Sequence, residues 1–109
     1  MFTADGVLVG ATSRYEGAAE LATVPAKLGR YLRTMHVVAN HVVDLDGDRA
    51  TGETTCVAHH LHDEDATGER DRVLYLRYHD AFVRTGDGWR IAERRLEVSW
   101  VEDRPVTIR

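Results

Sequence analysis

Two polar side chains that can hold or move protons, those of His36 and Asn40, interrupt a valine-rich stretch between residues 34 and 44. Successive side chains of a strand point to opposite faces, so this stretch predicts His36 and Asn40 on one face and His41 on the other. Burying an imidazole and an amide among valines costs free energy unless both are hydrogen-bonded. Because the ordinary pKa of histidine lies near neutrality, His36 is a candidate general base on a pocket wall.

One helical segment and two hairpins would have to position these residues. Leu21, Val24, Leu28 and Leu32 recur every three or four residues, which indicates one face of a helix over residues 18–32. Pro25 either kinks that helix or lies in the first turn of a second helix begun at Thr23, and we favour two short helical pieces.

From Thr34 onward the apolar period changes to two, which is typical of strands. Strands over 34–44 and 49–62 flank the turn LDGD at 45–48, and strands over 73–84 and 89–101 flank TGDG at 85–88. Residues 63–72 are charged and predict a loop, residues 10–17 predict another loop, and residues 2–9 predict a short strand interrupted by Asp5-Gly6. The predicted fold is α+β, with a curved antiparallel sheet of four long strands and a short N-terminal strand packed on short helices.

Small side chains on the second strand of the first hairpin predict space for a ligand. If the charged side chain of Glu53 faces outward, the alternation of a strand turns the residues on either side of it inward. The inward positions are then Ala50, Gly52, Thr54, Cys56 and Ala58. We therefore predict a pocket for a hydrophobic small molecule. Its predicted binding residues are Val38, Asn40, Thr54, Cys56, Ala58 and Tyr78.

Asp80 and Arg94 face each other across the second hairpin if its loop has three residues, Gly86 to Gly88, with Gly88 in the left-handed region. We interpret this pair as a structural ion pair. A loop of two or four residues would instead place Asp80 opposite Glu93.

The overall composition excludes several classes of function. The 109 residues are enough for one domain, residues 1–109, with 43% hydrophobic and 29% charged residues. A net charge of −4 without a basic block argues against nucleic acid binding, and no apolar run is long enough to span a membrane. The single cysteine, Cys56, and a start without a signal-peptide pattern predict a cytoplasmic protein.

Four histidines near one another in the sequence, His59, His60, His62 and His79, raise the question of a metal site. Only His60 and His62 share a strand face, and no Cys-x-x-Cys or His-Glu-x-x-His spacing accompanies them. We therefore predict neither a metal nor a cofactor.

Four segments in order resemble the SnoaL-like branch of the nuclear transport factor 2-like superfamily. They are LRTMH at 32–36, DGDRA at 46–50, YHDAF at 78–82 and GWRIAER at 88–94. The resemblance covers nearly the whole chain and implies a cone formed by a curved sheet closed by helices. The branch includes polyketide cyclases, scytalone dehydratase-like lyases and ketosteroid isomerase-like enzymes.

The resemblance also implies roles for two residues. His36 matches the strand histidine that moves protons in scytalone dehydratase-like members, and Tyr15 falls where such enzymes often place a carbonyl-polarising tyrosine. Together they suggest His36 as base, Tyr15 as donor to an oxyanion and Asn40 as the orienting group. The chain departs from the pattern in two ways, since Gly10 and Ala11 stand where a carboxylate base would fall and the long N-terminal helix of the family is missing.

Two interpretations of function stay open. One is a cofactor-independent lyase, isomerase or cyclase that uses histidine to move a proton on a hydrophobic carbonyl substrate. The other is a non-catalytic ligand-binding or dimerisation module, in which His36 hydrogen-bonds a backbone carbonyl and Asn40 lines a vestigial cavity. A carboxylate or tyrosine within hydrogen-bond reach of His36 would favour the enzyme. Apolar residues left on the convex face, Val37 with Val57 or Leu61, predict a homodimer in either case.

Overall fold

The computed structural model describes residues 1–64 and 66–109 of the chain. Six strands and three short helical pieces follow one another. They are β1 (Phe2–Val9), β2 (Arg14–Glu16), α1 (Ala18–Leu21), α2 (Val24–Lys27), a 3₁₀ turn (Leu28–Arg30), β3 (Arg33–Asp46), β4 (Arg49–His62), β5 (Arg70–Thr85) and β6 (Gly88–Pro105). Asp65, in the predicted charged loop, lies outside the described residues.

All six strands form one curved sheet in the order β2-β1-β6-β5-β4-β3. The two long antiparallel hairpins, β3-β4 and β5-β6, confirm the predicted meander and the α+β class. Three features differ from the prediction. The predicted loop at 10–17 contains β2, which pairs antiparallel with β1, and β1 pairs parallel with β6. β5 begins at Arg70, inside the predicted loop at 63–72, because the ladder continues to Arg70 opposite His62.

The helical segment consists of short pieces, as predicted. Thr23 is the N-cap of α2 and Pro25 lies in its first turn, where the missing amide hydrogen costs no helical hydrogen bond. The segment ends at Arg30, so the inclusion of Leu32 in the helix was wrong. The amide of Leu32 instead donates to the carbonyl of Leu61 and starts the pairing of β3 with β4.

A β-bulge at Asn40 changes which side chains of β3 face the cavity. Ala39 pairs with Thr55 and His41 pairs with Thr54, so Asn40 is the extra residue, with φ +50°. Asparagine tolerates this left-handed conformation better than most residues. The bulge reverses the alternation beyond residue 40. The prediction that His41 faces away from the site was therefore wrong, because His41 lies on the same sheet face as Thr54.

A second bulge sets the register of Asp80. Thr85 pairs with Gly88, so Gly86 and Asp87 form a two-residue turn, and Gly88 has φ +102°. A two-residue turn alone would place Asp80 opposite Glu93. The register shift between Ala81 and Phe82 restores the pairing of Asp80 with Arg94.

The buried positions of β4 alternate along the whole strand, because one face of the strand packs against the interior. They are Ala50, Gly52, Thr54, Cys56, Ala58, His60 and His62. Cys56, Ala58 and Leu76 form the centre of the core, and Leu74, Tyr78, Leu96 and Val98 pack against it. The small residues of β4 therefore face inward, as the sequence predicted.

Gly52 must be a glycine because two rings occupy the space beside it. A Cβ atom there would lie 2.7 Å from Cε2 of Phe82 and 3.3 Å from Nε2 of His41. We expect Gly52→Ala to lower the free energy of unfolding by about 1–3 kcal/mol, the usual cost of overpacking. Urea denaturation measures this loss. Gly86→Ala is the control, since nothing lies within 4 Å of its Cβ position, and equal stability of the two variants would contradict the packing argument.

Candidate active site

An apolar cavity of about 410 Å³ lies between the concave face of the sheet and the helical segment. Its size is that of a typical small-molecule pocket. The apolar side of the lining comes from Met1, Phe2, Leu8, Leu21, Val24, Pro25, Leu28, Ala58, Leu74, Leu76 and Leu96. The side chains that carry polar groups are His36, His60, Tyr78 and Arg94. The helical segment thus packs against the concave face, as predicted.

Two histidines meet at one end of the cavity. The rings of His36 and His60 are edge to face, with 5.5 Å between their centroids. His36 belongs to the edge strand β3 and is largely exposed at the rim, whereas His60 is only 6% exposed. His60 was not among the residues predicted to line the pocket, although the strand parity that turns Ala58 inward also turns His60 inward two residues later.

The hydrogen bonds of His60 define its protonation state. Its Nδ1 lies 3.1 Å from the carbonyl oxygen of Arg72, which can only accept, so Nδ1 carries the hydrogen. Burial lowers the pKa of His60 below its ordinary value of 6.5, because a charged imidazolium is poorly solvated there. The hydrogen bond to the Arg72 carbonyl raises this pKa, whereas the charge of His36 lowers it further. At neutral pH His60 is therefore neutral, with a basic lone pair on Nε2.

Arg94, with Asp80 and Tyr78, forms the other polar part of the cavity. Nε and Nη2 of Arg94 donate to the two carboxylate oxygens of Asp80 at 2.8 and 2.9 Å. The guanidinium carbon lies 4.2 Å from the ring centroid of Tyr78. The hydroxyl of Tyr78 donates to Sγ of Cys56 at 3.6 Å. Burial raises the pKa of Tyr78 well above its ordinary value, so this hydroxyl stays protonated.

The other residues selected from the sequence lie at different distances from this cavity. Ala58 and Tyr78 line it. Cys56 is fully buried beside Tyr78, and Thr54 is buried opposite Tyr78 in the ladder. Val38 shares the face of His36, opposite Cys56, but is 62% exposed at the sheet edge.

Tyr15 and Asn40 are not brought together with His36. Tyr15 lies on β2, where its hydroxyl accepts a hydrogen bond of 2.7 Å from Nζ of Lys27. Asn40 is the bulged residue and is exposed. Neither side chain lines the cavity, so the triad suggested by the resemblance is not assembled. The reason is geometric, since β1 and β2 pair next to β6 while β3 is the opposite edge of the sheet.

Two other histidines, His59 and His62, have hydrogen-bond partners outside this cavity. His59 bonds to Asp71 at 2.7 Å on the convex side, and Nε2 of His62 lies 2.9 Å from the carboxylate of Asp103. Within residues 1–64 and 66–109, no group of three or more histidine, cysteine, aspartate or glutamate side chains is arranged to hold a metal ion. In the same part of the chain, no helix is long and apolar enough to cross a membrane.

Known proteins resemble the chain in sequence and in structure. The protein Rv2910c of Mycobacterium tuberculosis, whose function is not characterised, is 39% identical over 69 residues. That match covers 62% of this chain and 44% of Rv2910c, so the chain spans less than half the length of the curated relatives it matches.

Two solved structures share the fold over nearly the whole chain. The Kfla4162 protein of Kribbella flavida superposes with a TM-score of 0.82 at 26% identity, covering 94% of this chain and 74% of that one. The hexachlorocyclohexane dehydrochlorinase LinA-type3 of Novosphingobium barchaimii superposes with a TM-score of 0.81 at 12% identity, covering 94% and 71%. The family model of the SnoaL-like domain matches residues 1–95. The chain therefore belongs to the SnoaL-like domain family.

Proposed function

We propose that the chain binds a hydrophobic carbonyl compound in the concave cavity and moves a proton on it without a cofactor. The observation that carries this proposal is the neutral, buried His60, whose Nδ1 is bound to a backbone carbonyl while the ring lines an apolar cavity. A base held in one tautomer beside a bound ligand is what abstraction of a proton next to a carbonyl requires. The reaction class is that of a lyase, isomerase or cyclase.

The proposed step uses both histidines. Nε2 of His60 takes a proton from the carbon next to the carbonyl, and the electron pair of the broken C–H bond moves to form an enolate. His36, with its ring centroid 5.5 Å from that of His60, donates an N–H to the enolate oxygen. His60 then returns its proton to carbon, or the enolate expels a leaving group. The LinA-type3 dehydrochlorinase, which shares the fold, is named for an elimination.

The experiment is deuterium exchange on a ketone that fits the cavity. We expect the protein to accelerate, over buffer, the incorporation of deuterium from D₂O into the acetyl groups of 2,6-diacetylnaphthalene, followed by proton NMR. Binding of the same ketone is measured by calorimetry. Binding without accelerated exchange would overturn the proton transfer and leave a ligand-binding module.

That non-catalytic module is the second candidate, and one observation favours it. In the part of the chain that the structure describes, no carboxylate or tyrosine hydroxyl is hydrogen-bonded to the ring of His36. The aromatic neighbour of the pair is Tyr31, whose ring centroid lies 4.8 Å from that of His60. The hydroxyl of Tyr31 accepts a hydrogen bond from Arg30.

The lowered pKa of His60 predicts how the exchange depends on pH. The rate follows the neutral fraction of His60, which rises with pH through a pKa below 6.5. We therefore expect a rate that is nearly constant above about pH 7.5 and declines in more acidic buffer. Exchange rates measured from pH 5 to 8 test this. A rate that rises severalfold between pH 7 and 8 would contradict His60 as the base.

We also propose that the chain forms a cytoplasmic homodimer through its convex face. Tyr75 and Trp100 stack there with 4.6 Å between their centroids, and Val37 and Trp100 are 46% and 56% exposed. Exposed apolar surface of this kind commonly forms an interface. We expect light scattering at micromolar concentration to give twice the monomer mass for the protein and the monomer mass for Trp100→Glu. A monomeric unchanged protein would refute the dimer. The free, buried thiol of Cys56 is compatible with a reducing compartment.

A further inference from the structure

Arg94 has hydrogen-bonding capacity that its ion pair does not use. Nε and Nη2 bind Asp80, whose side chain is 1% exposed, while the Arg94 side chain is 20% exposed and lines the cavity. Among residues 1–64 and 66–109, Nη1 makes no hydrogen bond with the protein. Asp80 and the ring of Tyr78 hold the guanidinium in place. A fixed donor on a residue that lines an apolar cavity is suited to bind a ligand oxygen.

The register of the sheet places Arg94 far from the histidine pair. His36 pairs with Ala58, which pairs with Leu74 on β5. Tyr78, beneath the guanidinium, is four residues further along the same strand, or about 13 Å at the usual rise per residue. The curvature of the sheet shortens this distance. Between the two polar ends the cavity wall is apolar, with Leu74 and Leu76.

The charge of Arg94 is already balanced. The carboxylate of Asp80 makes a bidentate contact with it and neutralises the guanidinium. Besides the α-amino group of Met1, the other titratable groups in the cavity lining are the two histidines and Tyr78, of which His60 and Tyr78 are neutral at pH 7. A buried ligand anion would therefore find no unbalanced positive charge at Arg94, whereas a neutral acceptor loses little on burial.

We propose that Nη1 of Arg94 is a second binding subsite, which donates a hydrogen bond to a neutral carbonyl at the far end of the substrate. The ligand class is an elongated, mainly apolar molecule with one carbonyl near His36 and His60 and another up to about 13 Å away. The identity of the reacting end rests on the proposed function, but binding at Arg94 does not.

Three naphthalenes of almost equal size test the subsite by calorimetry. They are 2,6-diacetylnaphthalene, 2-acetyl-6-ethylnaphthalene, which lacks the second carbonyl, and 6-acetyl-2-naphthoate, which replaces it with an anion. We expect the diketone to bind the unchanged protein about tenfold more tightly than the monoketone, because one hydrogen bond from a charged donor changes the affinity by about this factor. We expect the naphthoate to bind more weakly than the diketone.

Two variants connect these differences to Arg94. Asp80→Leu/Arg94→Met replaces the pair with apolar side chains and should abolish the tenfold preference for the diketone while still binding the monoketone. Asp80→Asn keeps the arginine and removes the compensating charge, so it should raise the affinity for the naphthoate about tenfold. Arg77→Met is the matched control, because Arg77 pairs with Glu53 on the convex face and both side chains are 51% exposed. It should keep the preference of the unchanged protein.

Equal affinity for diketone and monoketone in the unchanged protein would overturn the subsite, as would a preference that survives the double variant. Tighter binding of the naphthoate than of the diketone by the unchanged protein would overturn the neutral-carbonyl assignment. None of these results depends on catalysis. Accelerated deuterium exchange with no preference for the diketone would reject the subsite alone, and a clear preference without exchange would reject the proton transfer alone.

Discussion

Replacing His60 with glutamine should lower the rate of deuterium exchange by a factor of about 100 or more, which is the usual contribution of a positioned general base. Glutamine is similar in size to histidine, so the packing around position 60 is largely retained. What is lost is the basic lone pair on Nε2. Exchange into 2,6-diacetylnaphthalene measures the loss, and calorimetry shows that the ketone still binds.

His79→Gln is the control for this variant. His79 lies on the other face of the sheet, where it bonds to Glu97 at 2.6 Å, and its replacement should leave the exchange rate unchanged. His36→Ala should also lose most of the exchange but keep its stability, since His36 is exposed at the cavity rim. Full exchange in His60→Gln would reject His60 as the base. His41 cannot serve as an outward-facing control, because the bulge at Asn40 turns it to the cavity side.

Removing Arg94 should cause the largest loss of stability among the single replacements considered. Arg94→Met leaves the carboxylate of Asp80, 1% exposed, without its bidentate partner. Breaking a buried ion pair from one side costs about 3–5 kcal/mol, because the remaining charge is buried and uncompensated. We expect a loss of this size in the free energy of unfolding measured with urea.

Two further variants separate the ion pair from the packing of the arginine side chain. Asp80→Leu/Arg94→Met removes both charges and should recover most of the stability. Arg77→Met breaks an exposed pair with Glu53 and should cost no more than about 1 kcal/mol. If Arg94→Met lost as little as Arg77→Met, the Asp80–Arg94 pair would not be a structural ion pair.

The local elements could be predicted from the sequence because each depends on neighbours in the chain. The change from helical to strand period at Thr34, the Asp-Gly turn before Arg49 and the position of Pro25 in the first turn of α2 all appear in the structure. The four ordered segments that resembled the SnoaL-like branch also identified the family correctly. By contrast, β2 was missed because three residues in a glycine-bounded segment carry no periodic signal.

The site was predicted only in part because strand parity holds only while the register is unbroken. Ala58 and Tyr78, two of the predicted binding residues, line the cavity, and strand parity would have added His60 had the inward series been continued past Ala58. Strand parity failed at Asn40 and His41, because the bulge reverses which side chains of β3 point to the cavity side of the sheet. The pairing of Asp80 with Arg94 was predicted from a three-residue hairpin loop. The structure has the same pairing, but it arises from a two-residue turn combined with a bulge.

The family, the two hairpins and the small inward side chains that leave room for a ligand can be derived from the amino-acid sequence, since turn chemistry and apolar period are local properties. Which polar groups share the cavity depends instead on how the strands pair. His36 and His60 meet because β3 pairs with β4. Arg94 lines the other end of the same cavity because β6 belongs to the same curved sheet, and Tyr15 is separated because β2 lies at the opposite edge from β3. These distances depend on strand order and on single-residue bulges, which are set by contacts between residues far apart in the chain.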